Sequence, residues 1–282
     1  MNRPGDAELL TAARSALLDA LDALQPHLHA VVVIGAQAIY LHTGGATVAL
    51  AETTKDSDIA LDTRALPDTP LLEDAMRHAG FHLDTNHPQP GSWLNDVGIP
   101  VDLMVPASLA GATGRRGARI PPHSKHAARR ATGLEAAIVD HAPMRVAALD
   151  PDDPRVSVVN VAGPAALLVS KLHKIAERAD TPDRLLDKDA HDLYRLLVAT
   201  PTDQLATSLR HLQTDQLAGA ATRHAITLLD DLFATGPQAL GSVMAGRAEQ
   251  GIGDPAVVSA AVAALAGDLA TTLSIDHPSG ES

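Results

Sequence analysis

At Gly163 the spacing of apolar residues changes, and this divides what the chain can become. From Pro164 onward the segments 165–179, 183–199, 202–212, 215–234, 237–251 and 254–273 all repeat apolar residues every three to four positions, the signature of amphipathic helices. Such a succession predicts a helical bundle. Before Gly163 the pattern is mixed. Leu9, Leu10, Ala13, Leu17, Leu18, Leu21 and Leu24 share one helical face, with Asp6 as a cap and Pro26 as a stop. A β-branched run, Ala30 to Ile34, ends at Gly35 and leads into a short helix from Ala36 to His42. The segments 57–62 and 99–105 alternate polar and apolar residues as half-buried strands do, 157–161 is a further strand, and 69–79 reads as a helix. The expected fold is α+β: a mixed-sheet domain with flanking helices over 1–162, a helical domain over 163–275 and a flexible polar tail over 276–282.

Composition narrows the class. Of 282 residues 45% are hydrophobic and 20% charged, close to globular averages, so a disordered tail or linker is excluded. Aromatics are only 2%, which makes the core aliphatic and leaves almost no rings on which unpaired bases could stack. Nucleic acid, if bound, must be held through its phosphates. The net charge of −12 does not by itself advertise such a partner. With no cysteine, disulfide frameworks and thiolate zinc sites are excluded, in keeping with a reducing compartment. The opening residues carry acids where a secretory signal needs an apolar stretch. The longest apolar stretch, Ala256 to Gly267 broken by Ser259, falls short of the roughly 18 residues that span a bilayer. A cytoplasmic protein with no membrane partner is expected.

The chemistry is concentrated around Thr53-Thr-Lys-Asp-Ser-Asp58. Asp56 and Asp58 stand two apart at the start of a strand, which puts both carboxylates on one face. Two such groups repel unless a cation joins them, and hard oxygen donors suit Mg²⁺, which fills its remaining positions with water and substrate phosphate. A solvated strand end is the plainer reading of the same spacing. Two other features bear on the choice. Gly35-Ala36 turns a strand into a helix, where backbone N–H groups can hold phosphate. Asp102 lies in the apolar strand Pro100-Val-Asp-Leu-Met-Val-Pro106, so it needs a metal or a cationic partner.

A glycine turn, Asp-x-Asp and a third strand carboxylate follow one another as in the nucleotidyltransferase fold of the polymerase-β superfamily, which residues 30–106 resemble. That fold usually has Gly-Ser or Gly-Gly where this chain has Gly35-Ala36, so a backbone amide is present and a hydroxyl is not. Lys171-Leu-His-Lys-Ile-Ala-Glu-Arg178 followed by Lys188-Asp-Ala-His-Asp-Leu193 is similar to the signature of the AbiEii and MenT nucleotidyltransferase toxins. Lys171, Lys174 and Arg178 share one helix face, and Asp189 and Asp192 share another. A salt-bridged helix pair would have the same spacing.

The resemblance implies in-line attack of an acceptor hydroxyl on a nucleoside triphosphate (NTP). Asp56 and Asp58 would hold Mg²⁺, Asp102 would complete a metal position or accept a proton, and Lys171 would hold triphosphate. Asp189 or Asp192 would orient or activate the acceptor. It also implies Thr54 as a residue phosphorylated by a cognate antitoxin, and the 3′ acceptor end of tRNA as substrate, with pyrimidine nucleotides added. Two other readings use the same residues: nucleotidylation of a small molecule such as an aminoglycoside, and a weakly catalytic nucleotide-binding module.

Between Gly111 and Arg130 there is no acid, and Arg115, Arg116, Arg119, Lys125, Arg129 and Arg130 are basic. In an acidic chain this local excess, with its glycines and Pro121-Pro122, reads as a loop beside Asp102 that could hold RNA phosphates through Arg115, Arg116 and Arg119. Pairing with acidic helices of the bundle is the alternative.

Overall fold

The computed structural model describes residues 4–44, 56–85, 89–111 and 116–275. Thr54, Arg115 and the 276–282 tail lie outside the described residues.

Helix α1 (Pro4–Ala23) is followed by strand β1 (Val31–Ile34), helix α2 (Gly35–Thr43), β2 (Ser57–Leu61), α3 (Leu72–His78), β3 (His82–Leu83), β4 (Ser92–Leu94) and β5 (Pro100–Pro106). Next come β6 (Arg129–Ala131), α4 (Glu135–Val139), β7 (His141–Ala147) and β8 (Val156–Ala162). After Gly163 the described chain is helical: α5 (Pro164–Arg178), α6 (Asp187–Ala199), α7 (Thr202–Thr214), α8 (Gly219–Leu229), α9 (Leu240–Ala248) and α10 (Pro255–Ile275).

The strands form one mixed sheet in the order β3-β4-β5-β2-β1-β8-β7. β2 and β5, the centre of this order, run parallel, and β1 pairs with β2 antiparallel. β4 and β6 share one edge of β5: β4 covers residues 100–102 and β6 covers 104–106. The all-apolar β1 is buried at every position, as a central strand covered on both faces should be.

Four strands escaped the sequence reading. β3 and β4 are two and three residues long, too short to show a period. β6 begins with two arginines, and β7 is a largely exposed edge strand containing Pro143.

The small helix α2 is held at both ends. Arg14 of α1, itself buried, donates from Nε to Gln37 Oε1 at 2.8 Å and from a terminal nitrogen to Ala147 O at 3.0 Å. Arg195 of α6 donates to Thr43 Oγ1 at 3.0 Å and to Thr43 O at 3.2 Å, with its guanidinium 5.6 Å from the Tyr40 ring centroid. Helices α5 and α6 therefore rest on the helix that begins at Gly35. α10 is long and apolar enough to cross a membrane by length and composition. Here its Val262, Ala266 and Leu269 are buried, and it packs on α7 and α9.

Candidate active site

Strand register brings the carboxylates together. Asp58 and Asp102 are direct partners across the parallel β2–β5 pair, so their side chains leave the same face of the sheet about 5 Å apart at the backbone. Asp56, two residues before Asp58, is more exposed and lies 4.0 Å from Lys188 Nζ. Gly35 explains why the strand must be followed by glycine here. Its φ of +67° is costly for any side chain, and a Cβ added to it would stand 2.1 Å from Asp58 Oδ2. The Asp58 carboxylate thus lies against the first turn of α2, which has no side-chain cap. The N–H groups of that turn, Ala36 included, are what a phosphate would meet.

Burial pushes Asp58 up, the neighbouring Asp56 pushes it further, Lys174 offsets this, Asp102 adds to it and Arg129 offsets it again; the carboxyl is raised to about 6. Like charges crowded in this way favour a cation. The donor chemistry suits Mg²⁺, since Asp58 and Asp102 are hard oxygen donors in register and Asp56 stands immediately before β2. The expectation of three assembled ligands needs a correction, however. Among the described residues no group of three acidic or histidine side chains stands at metal-binding geometry. Asp102 is turned toward Arg129, whose guanidinium lies 2.7 Å from Asp102 Oδ2 and 3.9 Å from Asp58 Oδ1. The cationic partner that a carboxylate in an apolar strand requires is therefore an arginine from β6.

The two helix faces meet. Lys171 Nζ is 2.7 Å from both Asp189 and Asp192, and all three side chains are buried. Burial opposes the ammonium charge, but the two carboxylates outweigh it and hold Lys171 well above the usual lysine range. Asp189 also receives Lys174 at 3.0 Å and Arg178 at 3.3 Å. Burial would raise Asp189, yet Lys171 and Lys174 hold it well below the usual carboxylate range. Three cations meet two carboxylates, so positive charge is left over. Lys174 is the outermost of the set, with 32% of its side chain exposed against 5% for Lys171, and is the lysine whose field reaches Asp58.

Arg116 and Arg119, together with Lys125 and Arg130, are exposed. Their segment is laid against β6 by hydrogen bonds from Ala118 N to Ala128 O at 3.0 Å and from Arg130 N to Arg116 O at 2.8 Å. The expected loop is thus partly a strand. Sequence reasoning missed two roles, those of Arg129 and Lys174. Arg129 was legible only as one of six cations, and the signal that sets it apart is the pairing of β6 with β5. Lys174 shares a helix face with Lys171, and only the tertiary placement separates them.

A sheet with paired carboxylates beside a glycine-led helix and a lysine-bearing helix defines a phosphoryl-handling site. The chain belongs to the nucleotidyltransferase family, whose model matches residues 13–216. No curated protein matches it. A solved structure from H. pylori, described as a candidate nucleotidyltransferase, aligns over 98% of this chain and 100% of that chain at 11% identity, with a TM-score of 0.35. That likeness is too slight to add to the family assignment.

Proposed function

We propose that this nucleotidyltransferase transfers a nucleotide, a pyrimidine by resemblance, from an NTP to the 3′ acceptor end of tRNA, as the cytoplasmic toxin of a toxin–antitoxin pair. The observation that carries the transfer reading is the register pairing of Asp58 with Asp102 beside the Gly35 turn, within the field of Lys174. Asp56 and Asp58 would hold Mg²⁺, with Asp102 as the third carboxylate. When bound, the ion screens the triphosphate and stabilises the charge that develops as pyrophosphate leaves.

The protein's own residues divide the remaining work. The first-turn amides at Gly35 and Ala36 hold phosphate oxygens. Lys174, the outermost of the three cations, faces the leaving pyrophosphate. Lys171, Asp189 and Asp192 act one step behind, because an ammonium clamped between two buried carboxylates is a fixed support for Lys174 and α6. The exposed Arg116 and Arg119 belong to the segment hydrogen-bonded alongside β6, the strand from which Arg129 reaches Asp102, and this supports the reading of a polyanionic acceptor held through its phosphates. The toxin role, the antitoxin partner and phosphorylation of Thr54 rest on the resemblance of the lysine and aspartate signature.

The test is incubation of the protein with Mg²⁺, total RNA and each labelled NTP in turn. Label at the 3′ end of tRNA, lost with Asp58→Asn, is the expected result. Label only on small molecules, or nucleotide binding without transfer, would replace this reading by one of the other two.

A further inference from the structure

Of the described lysines and arginines between 116 and 130, Arg129 alone is not exposed. Its inward direction follows from the sheet. Arg129 is the register partner of Met104, and Asp102 lies two residues earlier on the same face of β5, so the arginine reaches diagonally along the strand to the carboxylate. The backbone that carries it is tied down on both sides. Trp93 Nε1 donates to Ala127 O at 2.9 Å, Gly91 N donates to His126 O at 2.9 Å, and Arg130 N donates to Arg116 O. Gln89, with its amide oxygen turned toward the guanidinium, accepts from two of its nitrogens at 3.3 Å. The backbone is thus anchored, and the guanidinium is held by side chains alone, Asp102 and Gln89.

A guanidinium cannot ligate a metal, yet it stands 2.7 Å from one of the carboxylates a metal needs and 3.9 Å from another. Its planar fork suits carboxylate and phosphate equally. We propose that Arg129 is a counter-ion latch: it pairs with Asp102 and offsets the charge of Asp58 before substrate arrives, and turns onto the phosphates when a metal–nucleotide complex enters. Metal binding is thereby made dependent on nucleotide, because a divalent ion arriving alone must break the 2.7 Å ion pair with Asp102 and meet the arginine's charge, whereas a nucleotide brings phosphates onto which the guanidinium can turn. This rests on the reading that Asp56, Asp58 and Asp102 serve a divalent ion and an NTP.

The experiment is calorimetric titration of the full chain with Mn²⁺ alone, then with ATP, CTP, GTP and UTP in saturating Mn²⁺, for wild type, Arg129→Gln and Arg129→Lys. The repulsion between a single and a double positive charge about 5 Å apart corresponds to roughly tenfold in affinity even at the dielectric constant of water. Arg129→Gln is therefore expected to bind Mn²⁺ alone at least about tenfold more tightly and Mn²⁺–nucleotide more weakly, opposite signs that a loosened fold does not produce. An unchanged or weaker affinity for Mn²⁺ alone in folded Arg129→Gln overturns the latch. If Arg129→Gln fails to fold, Arg129→Lys decides: it keeps the charge but loses the fork, so Mn²⁺ affinity should stay near wild type while Mn²⁺–nucleotide affinity falls, and an unchanged nucleotide affinity overturns the proposal. Wild-type protein that binds no Mn²⁺ even with nucleotide overturns the metal-site reading itself. Normal Mn²⁺–nucleotide binding in the wild type without the expected change in the variants overturns the latch alone.

Discussion

Lys171 and Lys174 leave α5 less than one turn apart and end in different surroundings: Lys171 Nζ is shared by Asp189 and Asp192 in the interior, whereas Lys174 pairs with Asp189 alone and is partly exposed. The two residues should therefore fail in different ways. Lys171→Ala leaves two buried carboxylates facing each other, and removing one partner of a buried ion pair costs about 3–5 kcal/mol. Lys174→Ala leaves that pair intact and should keep the fold while lowering transfer by about a hundredfold, the usual scale for removing one electrostatic stabiliser. Denaturant unfolding and transfer assays on both variants check this. A stable Lys171→Ala protein with no activity, beside a near-normal Lys174→Ala, would return the triphosphate role to Lys171.

Asp58 makes a prediction about pH. Its folded-state value of about 6 lies above the ordinary 3.8, so the folded protein binds this proton more tightly than the unfolded chain. The sign is that of a raised carboxyl: the contribution favours folding below about pH 4 and is lost as pH rises through 6. Two pH units at about 1.4 kcal/mol each set a loss of about 2–3 kcal/mol. Asp58→Asn removes this dependence. It should be inactive yet more stable than wild type at pH 7.5, with the advantage shrinking at pH 4, as denaturation midpoints at the two pH values would reveal.

Gly35→Ala combines two penalties, and Gly98→Ala isolates one of them. Both glycines have strongly positive φ, but a Cβ at Gly98 meets nothing within 4 Å while one at Gly35 meets the Asp58 carboxylate. The backbone strain alone is about 1–2 kcal/mol. Gly98→Ala should lose about that much and stay active; Gly35→Ala should lose more and lose transfer as well. Equal stability losses with full activity in both would show that Asp58 moves aside freely.

For the basic segment, replacing Arg115, Arg116 and Arg119 by glutamine should flatten the salt dependence of RNA binding by up to about three units of slope, at roughly 0.7–0.9 counterions per phosphate contact. Nucleotide affinity should barely change. Filter binding of tRNA across a salt series measures the first and calorimetry the second. Weakened nucleotide binding with unaltered RNA binding would mean that the segment serves the nucleotide.

How far the sequence could be read depends on where each contact lies along the chain. The places of Gly35, Asp58 and Asp102 were legible because a strand period and a turn residue are local facts, and the helices after Gly163 because amphipathic spacing is local too; Asp56 falls just before β2. The partner of Asp102 was not. Arg129 follows it by 27 positions and reaches it only because β6 takes up the edge of β5 where β4 ends. The split between Lys171 and Lys174 escaped for the same reason: both face α6, and what distinguishes them is the depth of packing around each.

The grip on α2 bears on how such a chain can be inherited and rebuilt. Gly35 opens a helix whose far end is fastened by Arg195, 152 residues later in the chain, and Arg195 sits on the same helix as Asp189. A recombinant that joined the sheet half of this chain to a helical half lacking an arginine at the position of Arg195 would leave Thr43 without its partner and loosen the phosphate-binding turn from the lysine cluster. The two halves are therefore poor interchangeable modules, and a graft that succeeds must carry Thr43 and Arg195 as a matched pair.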